Sequence, residues 1–159
     1  MRRITLAMSF LILVQLSACD RNRIFEKNVK FENRNWPQER TVSFRFEIDD
    51  IRSTYDFYCN LRNSILYKYQ NLYISYVLED TLGNVYLQDL ANIKLFQSKT
   101  GEPLGDGMGD IFDHQYKVIE NFSFKNPGIY QFNINHYMRP DSLREIMAVG
   151  LRIEKNPVE

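Results

Sequence analysis

The sequence predicts an all-β fold, an antiparallel β-sandwich of about seven or eight short strands with immunoglobulin-like or jelly-roll-like connections. Three observations carry that expectation. Apolar and polar residues alternate with a period of two over several runs. Aromatic residues make up 14% of the chain, with ten Tyr and eleven Phe, a usage that suits pleated strands better than helices. Turn-forming Asn, Gly and Pro punctuate the runs, and beyond the N-terminus no stretch sustains a helical repeat.

The N-terminus reads as an export signal. Met1-Arg2-Arg3 is a positive start, residues 4–16 are an apolar run, and the charged Asp20-Arg21-Asn22-Arg23 follows at once. The run is shorter than the roughly 20 apolar residues a spanning helix needs. Leu16-Ser17-Ala18-Cys19 places an aliphatic and two small residues before a cysteine, the lipobox pattern of a lipoprotein signal peptidase. The small side chains let an extended segment enter the peptidase, and the Cys19 thiol can carry a thioether-linked diacylglycerol. Two or three acyl chains of palmitate type, at about 0.8 kcal/mol per buried methylene, make such an anchor effectively permanent. Residues 1–18 are therefore expected to be removed and Cys19 to be the lipidated first residue of a membrane-bound protein.

Cleavage leaves about 140 residues, enough for one domain with a sizeable core and too few for two. Charge is balanced, 20 Lys and Arg against 20 Asp and Glu, and losing Arg2 and Arg3 tips it slightly acidic, which excludes the basic footprint of a nucleic-acid binder. With Cys19 acylated, Cys59 is the one remaining thiol, so no internal disulfide can form and packing must supply stability.

Residues 19–40 are polar and rich in Asn and Arg, and read as a lipidated tether, with Phe31 and Trp36 able to dock on the domain. Residues 41–156 read as the single sandwich. Val42, Phe44, Phe46 and Ile48 alternate with Thr41, Ser43, Arg45 and Glu47, a half-buried first strand. Tyr55, Phe57, Cys59 and Leu61 give the second strand and put Cys59 inward, as an inert core thiol. Leu72, Ile74, Tyr76 and Leu78 give the third, Leu82-Gly83-Asn84 turns the chain into a fourth at 85–88, and 93–97 is a fifth. A long loop follows with glycines at 101, 105, 107 and 109. Runs at 116–124, 129–136 and 146–154 complete the set, with Asn126-Pro127-Gly128 as a tight turn and 140–145 as one helical turn.

Candidate sites are few. The glycine loop lacks the strand-to-helix setting that a phosphate-binding turn needs. Asp106, Asp110 and Asp113, with His114 beside them, offer oxygen ligands at short spacing and form a weak candidate cation loop; the preferred reading is a structural loop and no metal. His114 and His136 are the two histidines, and His136 follows Tyr130, Phe132 and Ile134 as a core residue at a strand end. There is no Gly-x-Ser-x-Gly elbow, no His-Glu-x-x-His, and no cofactor motif, so an enzyme is not expected.

Several segments together resemble the gliding-motility lipoprotein GldH family of Bacteroidetes: Gly107-Met-Gly-Asp-Ile-Phe-Asp-His114, Asn126-Pro-Gly-Ile-Tyr130, Met138-Arg139 with Asp141-Ser-Leu143, and Val149-Gly-Leu-Arg-Ile-Glu154. Leu61-Arg62-Asn63, Tyr69-Gln-Asn-Leu72 and the lipobox extend the resemblance over most of the chain. It implies a non-enzymatic envelope lipoprotein needed for surface gliding and linked to type IX secretion, in the outer membrane by preference, whose partners are other envelope lipoproteins or outer-membrane proteins. It brings no catalytic residue, so Cys19 is the functional position carried over. Membership of that phylum adds Asp-Ser/Thr-apolar triplets as possible O-glycosylation sites, at Thr81 and Ser142. The alternative class is a glycan-binding sandwich that stacks sugars on exposed aromatics, with Tyr67, Tyr69, Tyr73 and Tyr86 as candidates. A row of tyrosines on one exposed face would favour sugar, and a broad apolar patch a protein partner.

Overall fold

The computed structural model describes residues 22–157, and they form an antiparallel all-β sandwich. Eleven strands run in chain order: β1 Arg23–Lys30, β2 Asn35–Pro37, β3 Val42–Ile48, β4 Tyr55–Ser64, β5 Asn71–Asp80, β6 Val85–Lys94, β7 Asp106–Met108, β8 Ile111–Phe122, β9 Gly128–His136, β10 Ser142–Arg144 and β11 Ile146–Lys155. A five-stranded sheet in the order β1-β11-β4-β8-β7 faces a four-stranded sheet in the order β3-β9-β5-β6, and β10 pairs with β2 at one end. Among the described residues no helix is long and apolar enough to cross a membrane.

Alternation drives the assembly. In β3 the burial pattern is strictly every second residue, and Phe44 and Phe46 meet Phe132 and Tyr130 of β9 in register. β11 is less regular in sequence but supplies Val149, Leu151 and Ile153 to the core, each fully buried. The two sheets are joined by rings rather than by aliphatic layers alone. Phe57 lies against Phe46, Phe122 and Phe132, and Phe124 reaches Tyr130 with ring centroids 4.4 Å apart. Tilted and edge-on pairs of this kind add about 0.5–1.5 kcal/mol each beyond the area they bury.

Three expectations change. The segment read as a tether is folded from Arg23 onward: β1 pairs along β11, and Phe25 packs on Phe44 and Phe46 of the opposite sheet. Trp36 is completely buried, stacks on Phe31 at 5.2 Å and meets His136 edge-on at 5.3 Å, while its Nε1 donates to the Arg40 carbonyl at 2.9 Å. Phe25, Val29, Phe31 and Trp36 lie among too many charged residues for a clean alternation because β1 is an edge strand. It keeps its polar outer positions in water, and even Lys27, on its core-facing side, is exposed. Inward-side charges on an edge discourage pairing with a second molecule, and Asp89 occupies the same kind of position on β6, an edge strand of the four-stranded sheet.

The expected fourth strand at 85–88 and the start of the expected fifth at 93–97 are one continuous β6, since an edge strand tolerates the polar Asp89 and Asn92 that lie between them. Residues 140–145 contain no helical turn. Ser142–Arg144 extends to pair with β2, and Glu145 takes a positive φ of 69° to let the chain turn into β11. Inside the long glycine loop, Asp106–Met108 forms β7 on the edge of β8; Gly107 is needed there because a Cβ would sit 2.1 Å from the Phe112 ring.

Candidate functional site

The strand directions sort the loops into two ends. Loops 49–54, 81–84 and 123–127 close the end where β1 begins, and loops 65–70, 95–105 and 137–141 close the other. Cys19 lies outside the described residues, and the described chain enters at Asn22, beside the former end: Lys155 N donates to the Asn22 carbonyl at 2.7 Å.

The other sequence candidates are placed as follows. Cys59 is inward and buried, and burial pushes its thiol up to about 12. His136 is buried in the core at the end of β9, and burial moves its pKa below the ordinary imidazole value, as it does for His114. Neither imidazole is hydrogen-bonded to a carboxylate, a hydroxyl or a thiol among the described residues, so neither is set up as a general base. Asp106 and Asp113 face each other across β7 and β8, but Arg62 grips Asp113 through two bonds of 2.7 and 2.8 Å. The Asp110 carbonyl accepts from Ile65 N at 2.8 Å, and among the described residues no three His, Cys, Asp or Glu side chains gather to hold a metal ion.

Thr81 is exposed at the tip of the β5–β6 hairpin, where the Asp80 carboxylate accepts from the Leu82 and Asn84 amides. Those hydrogen bonds, with the side chain of Asn84, hold the Asp80 carboxyl below its usual range. Ser142 is different. Its side chain is half-buried and bonds to that of Asn35, and the next residue, Leu143, is buried.

The four candidate tyrosines do not form a row. Tyr67 is buried with its hydroxyl donating to the Asn71 carbonyl, and Tyr86 packs edge-on against Tyr130. Tyr69 and Tyr73 do come together, with three residues the sequence did not single out. Tyr137, Leu90 and Pro140 join them, with Met138 and Arg139, in an open groove of about 610 Å³ on the outer face of the four-stranded sheet, toward the end away from the chain entry. β5 projects Tyr73 outward, β6 brings Leu90 alongside, and the ladder continues past β9 as Tyr137 N donates to the Tyr73 carbonyl at 2.7 Å. Tyr137 is 64% exposed, Leu90 51% and Tyr73 41%, a contiguous apolar surface with Arg139, which has no ion-pair partner among the described residues, at its rim. The signal in the sequence was slight: an aromatic-sulfur pair just beyond a strand end, and one leucine in a polar edge strand.

The outer face of the five-stranded sheet is the counterpart. Ala148 floors an open trough of about 470 Å³ between Asn28, Asn60, Arg62 and Gln115. Gly150 has no room for a side chain, since a Cβ there would lie 1.8 Å from Asn28 Oδ1.

Together these features define a small all-β domain with an open apolar groove on one sheet face. The chain belongs to the GldH lipoprotein family, whose model matches residues 23–153. It is 31% identical over 153 residues to the gliding motility lipoprotein GldH homolog of Christiangramia forsetii, covering 91% of both chains. It is 26% identical to the gliding motility lipoprotein GldH of Flavobacterium johnsoniae, covering 91% of this chain and 92% of that one. Among solved structures, the VP2 subviral particle of infectious bursal disease virus superposes with a TM-score of 0.44 at 13% identity, over 86% of this chain and 33% of the viral one.

Proposed function

We propose that the protein is an envelope lipoprotein, anchored through acylated Cys19 in the outer membrane, that works without catalysis as a docking part of a gliding-motility assembly associated with type IX secretion. The observation that carries this reading is the groove of Tyr69, Tyr73, Leu90 and Tyr137, an apolar surface on the solvent face of a sheet in a family named for gliding motility. A monomer gains nothing by leaving such a surface in water. Its occupant is an apolar or aromatic segment of another envelope protein of the assembly, with an acidic residue placed to meet Arg139.

Sugar binding is the weaker reading. Glycan sites combine aromatic platforms with convergent polar side chains, whereas Leu90, Met138 and Pro140 share this groove with the tyrosines and only Asn92, donating to the Tyr73 hydroxyl at 3.2 Å, adds an amide. The test is tagged protein with Cys19 intact, crosslinked mildly in its own host and recovered for mass spectrometry. Motility or secretion components should be recovered at near-stoichiometric yield and lost with the double substitution Leu90→Ser, Tyr137→Ser, whose fold is checked by thermal melting. Recovery of the protein alone, or a set indifferent to both substitutions, overturns the docking reading, and binding of a soluble polysaccharide by the lipid-free domain would replace it.

A further inference from the structure

The reach of the chain between lipid and fold fixes how the domain sits. Because the expected tether is part of the sandwich, only Asp20, Arg21 and Asn22 separate Cys19 from Arg23, the first residue of β1. Four Cα steps span at most about 14 Å even when fully extended. The strands rise about 3.3 Å per residue, so the ten-residue strands make the sandwich about 30 Å long. Anchored on so short a lead, the domain cannot turn its far end to the membrane.

Hydrogen bonds trace which groups lie beside the entry. Asn22 is bonded to Lys155, Asn156 N donates to the Thr54 carbonyl at 2.8 Å, and Lys155 Nζ pairs with Asp50 at 2.8 Å. Adjacent strands are about 4.8 Å apart, which puts loop 49–54 within about 10 Å of the entry, well inside the reach of the lead. That loop and the neighbouring hairpin tip on the same end expose aliphatic side chains outward: Ile51 is 42% exposed and Leu82 86%.

We infer that this end of the sandwich rests on the bilayer, with Ile51 and Leu82 seated among the lipid headgroups, and that the tyrosine groove is thereby presented away from the membrane. The inference rests on the acylation of Cys19. Charge at this end is mixed: Arg23 pairs with Glu26, Arg52 and Lys155 both pair with Asp50, and the exposed Lys125 and Asp49 carry opposite signs. The occupant is therefore a lipid surface without preference for anionic headgroups. Two exposed aliphatic tips are too little to bind on their own, so the lipid supplies attachment and the tips supply orientation. A glycan on Thr81 would stand between Leu82 and the headgroups, so the native chain is inferred to carry none there.

The test uses full-length lipidated protein in phosphatidylcholine vesicles, with an environment-sensitive fluorophore on Ile51→Cys, Leu82→Cys or Tyr137→Cys. The buried Cys59 thiol stays unreactive, and a Cys59→Ala background controls for it. Labels at 51 and 82 should be quenched by spin-labelled lipid and be about threefold less accessible to aqueous iodide than the label at 137. Replacing a third of the phosphatidylcholine with phosphatidylglycerol should leave that ratio unchanged. Equal iodide access at the three positions in protein that floats with the vesicles overturns the orientation and leaves the anchor standing. Failure to float overturns the anchor reading and the inference with it. A hexose mass on the Thr81 peptide of native protein overturns the seating of Leu82.

Discussion

On the outer face of the five-stranded sheet, Glu26 accepts from Asn60 at 3.0 Å, Asn60 accepts from Gln115 at 3.2 Å, and Arg62 holds Asp113 in a two-pronged pair. Across the sandwich, Tyr73, Leu90 and Tyr137 stand in water with few partners of their own. Both faces are made by the outward residues of alternating strands, and both surround a central strand. The first completes its interactions within the chain, and the second leaves apolar area for another molecule to complete. Local pairing can finish a polar face, whereas an apolar face on the solvent side is finished only by a partner.

The largest loss of stability is expected at the strap β2, which closes the far end of the sandwich. Trp36→Ala removes the ring stacked between Phe31 and His136 and should cost about 3–5 kcal/mol in urea unfolding, because a cavity that size does not collapse. The next effect belongs to the polar face. Asp56 is nearly buried, and burial alone would raise its carboxyl, but the Asn121 amide, the Lys117 ammonium 2.6 Å away and the Asn156 side chain outweigh that and hold it below the ordinary carboxylate range. Asp56→Ala should lose about 1–2 kcal/mol, since it removes the shared acceptor of three donors, of which Lys117 and Asn121 can turn to water.

Acid should expose the same difference in stages. His136 and His114 are kept neutral by burial, so the unfolded chain binds their protons first and stability begins to fall as pH drops through about 6.5. Asp56 has a lowered folded pKa, so its contribution is complete above the unfolded value and lost as pH falls below about 4. Urea midpoints at pH 7.5, 5.5 and 3.5 would show both steps, and His136→Gln should diminish only the first. Smaller still is the exposed Arg62 and Asp113 pair: Arg62→Ala should cost at most about 1 kcal/mol and less at high salt. Leu90→Ser and Tyr137→Ser should change stability by no more than about 0.5 kcal/mol while removing docking, which is the sharpest form of the contrast.

Much of the fold was legible because burial enforces a two-residue period wherever one side of a strand faces a core. The strictly alternating residues 42–48 and the inward Cys59 and Leu61 could be read directly, and they are buried as the period requires. β6 was not legible as one strand, and β1 was not legible at all, because each carries a charged residue on its core-facing side, Asp89 and Lys27, which blurs the period that the edge strand β3 keeps. β7 and β10, three residues each, are too short to leave a pattern, and they exist because β8 and β2 offer them a free edge. The groove fared similarly. Tyr69 and Tyr73 were named as candidates, but Tyr67 and Tyr86 were named beside them, and only packing decides which rings turn inward.

What the sequence determined by itself was the all-β class and the inward register of its regular strands, because each depends on neighbours along the chain. The tertiary structure decided that residues 23–40 belong to the sandwich, that Leu90 from an edge strand and Tyr137 from beyond another strand's end lie beside Tyr73, and that Ile51 and Leu82 share the end where the chain enters. Those facts depend on which strands pair across gaps of tens of residues, and that choice is made by the burial of the whole aromatic core at once, not by any segment's own pattern.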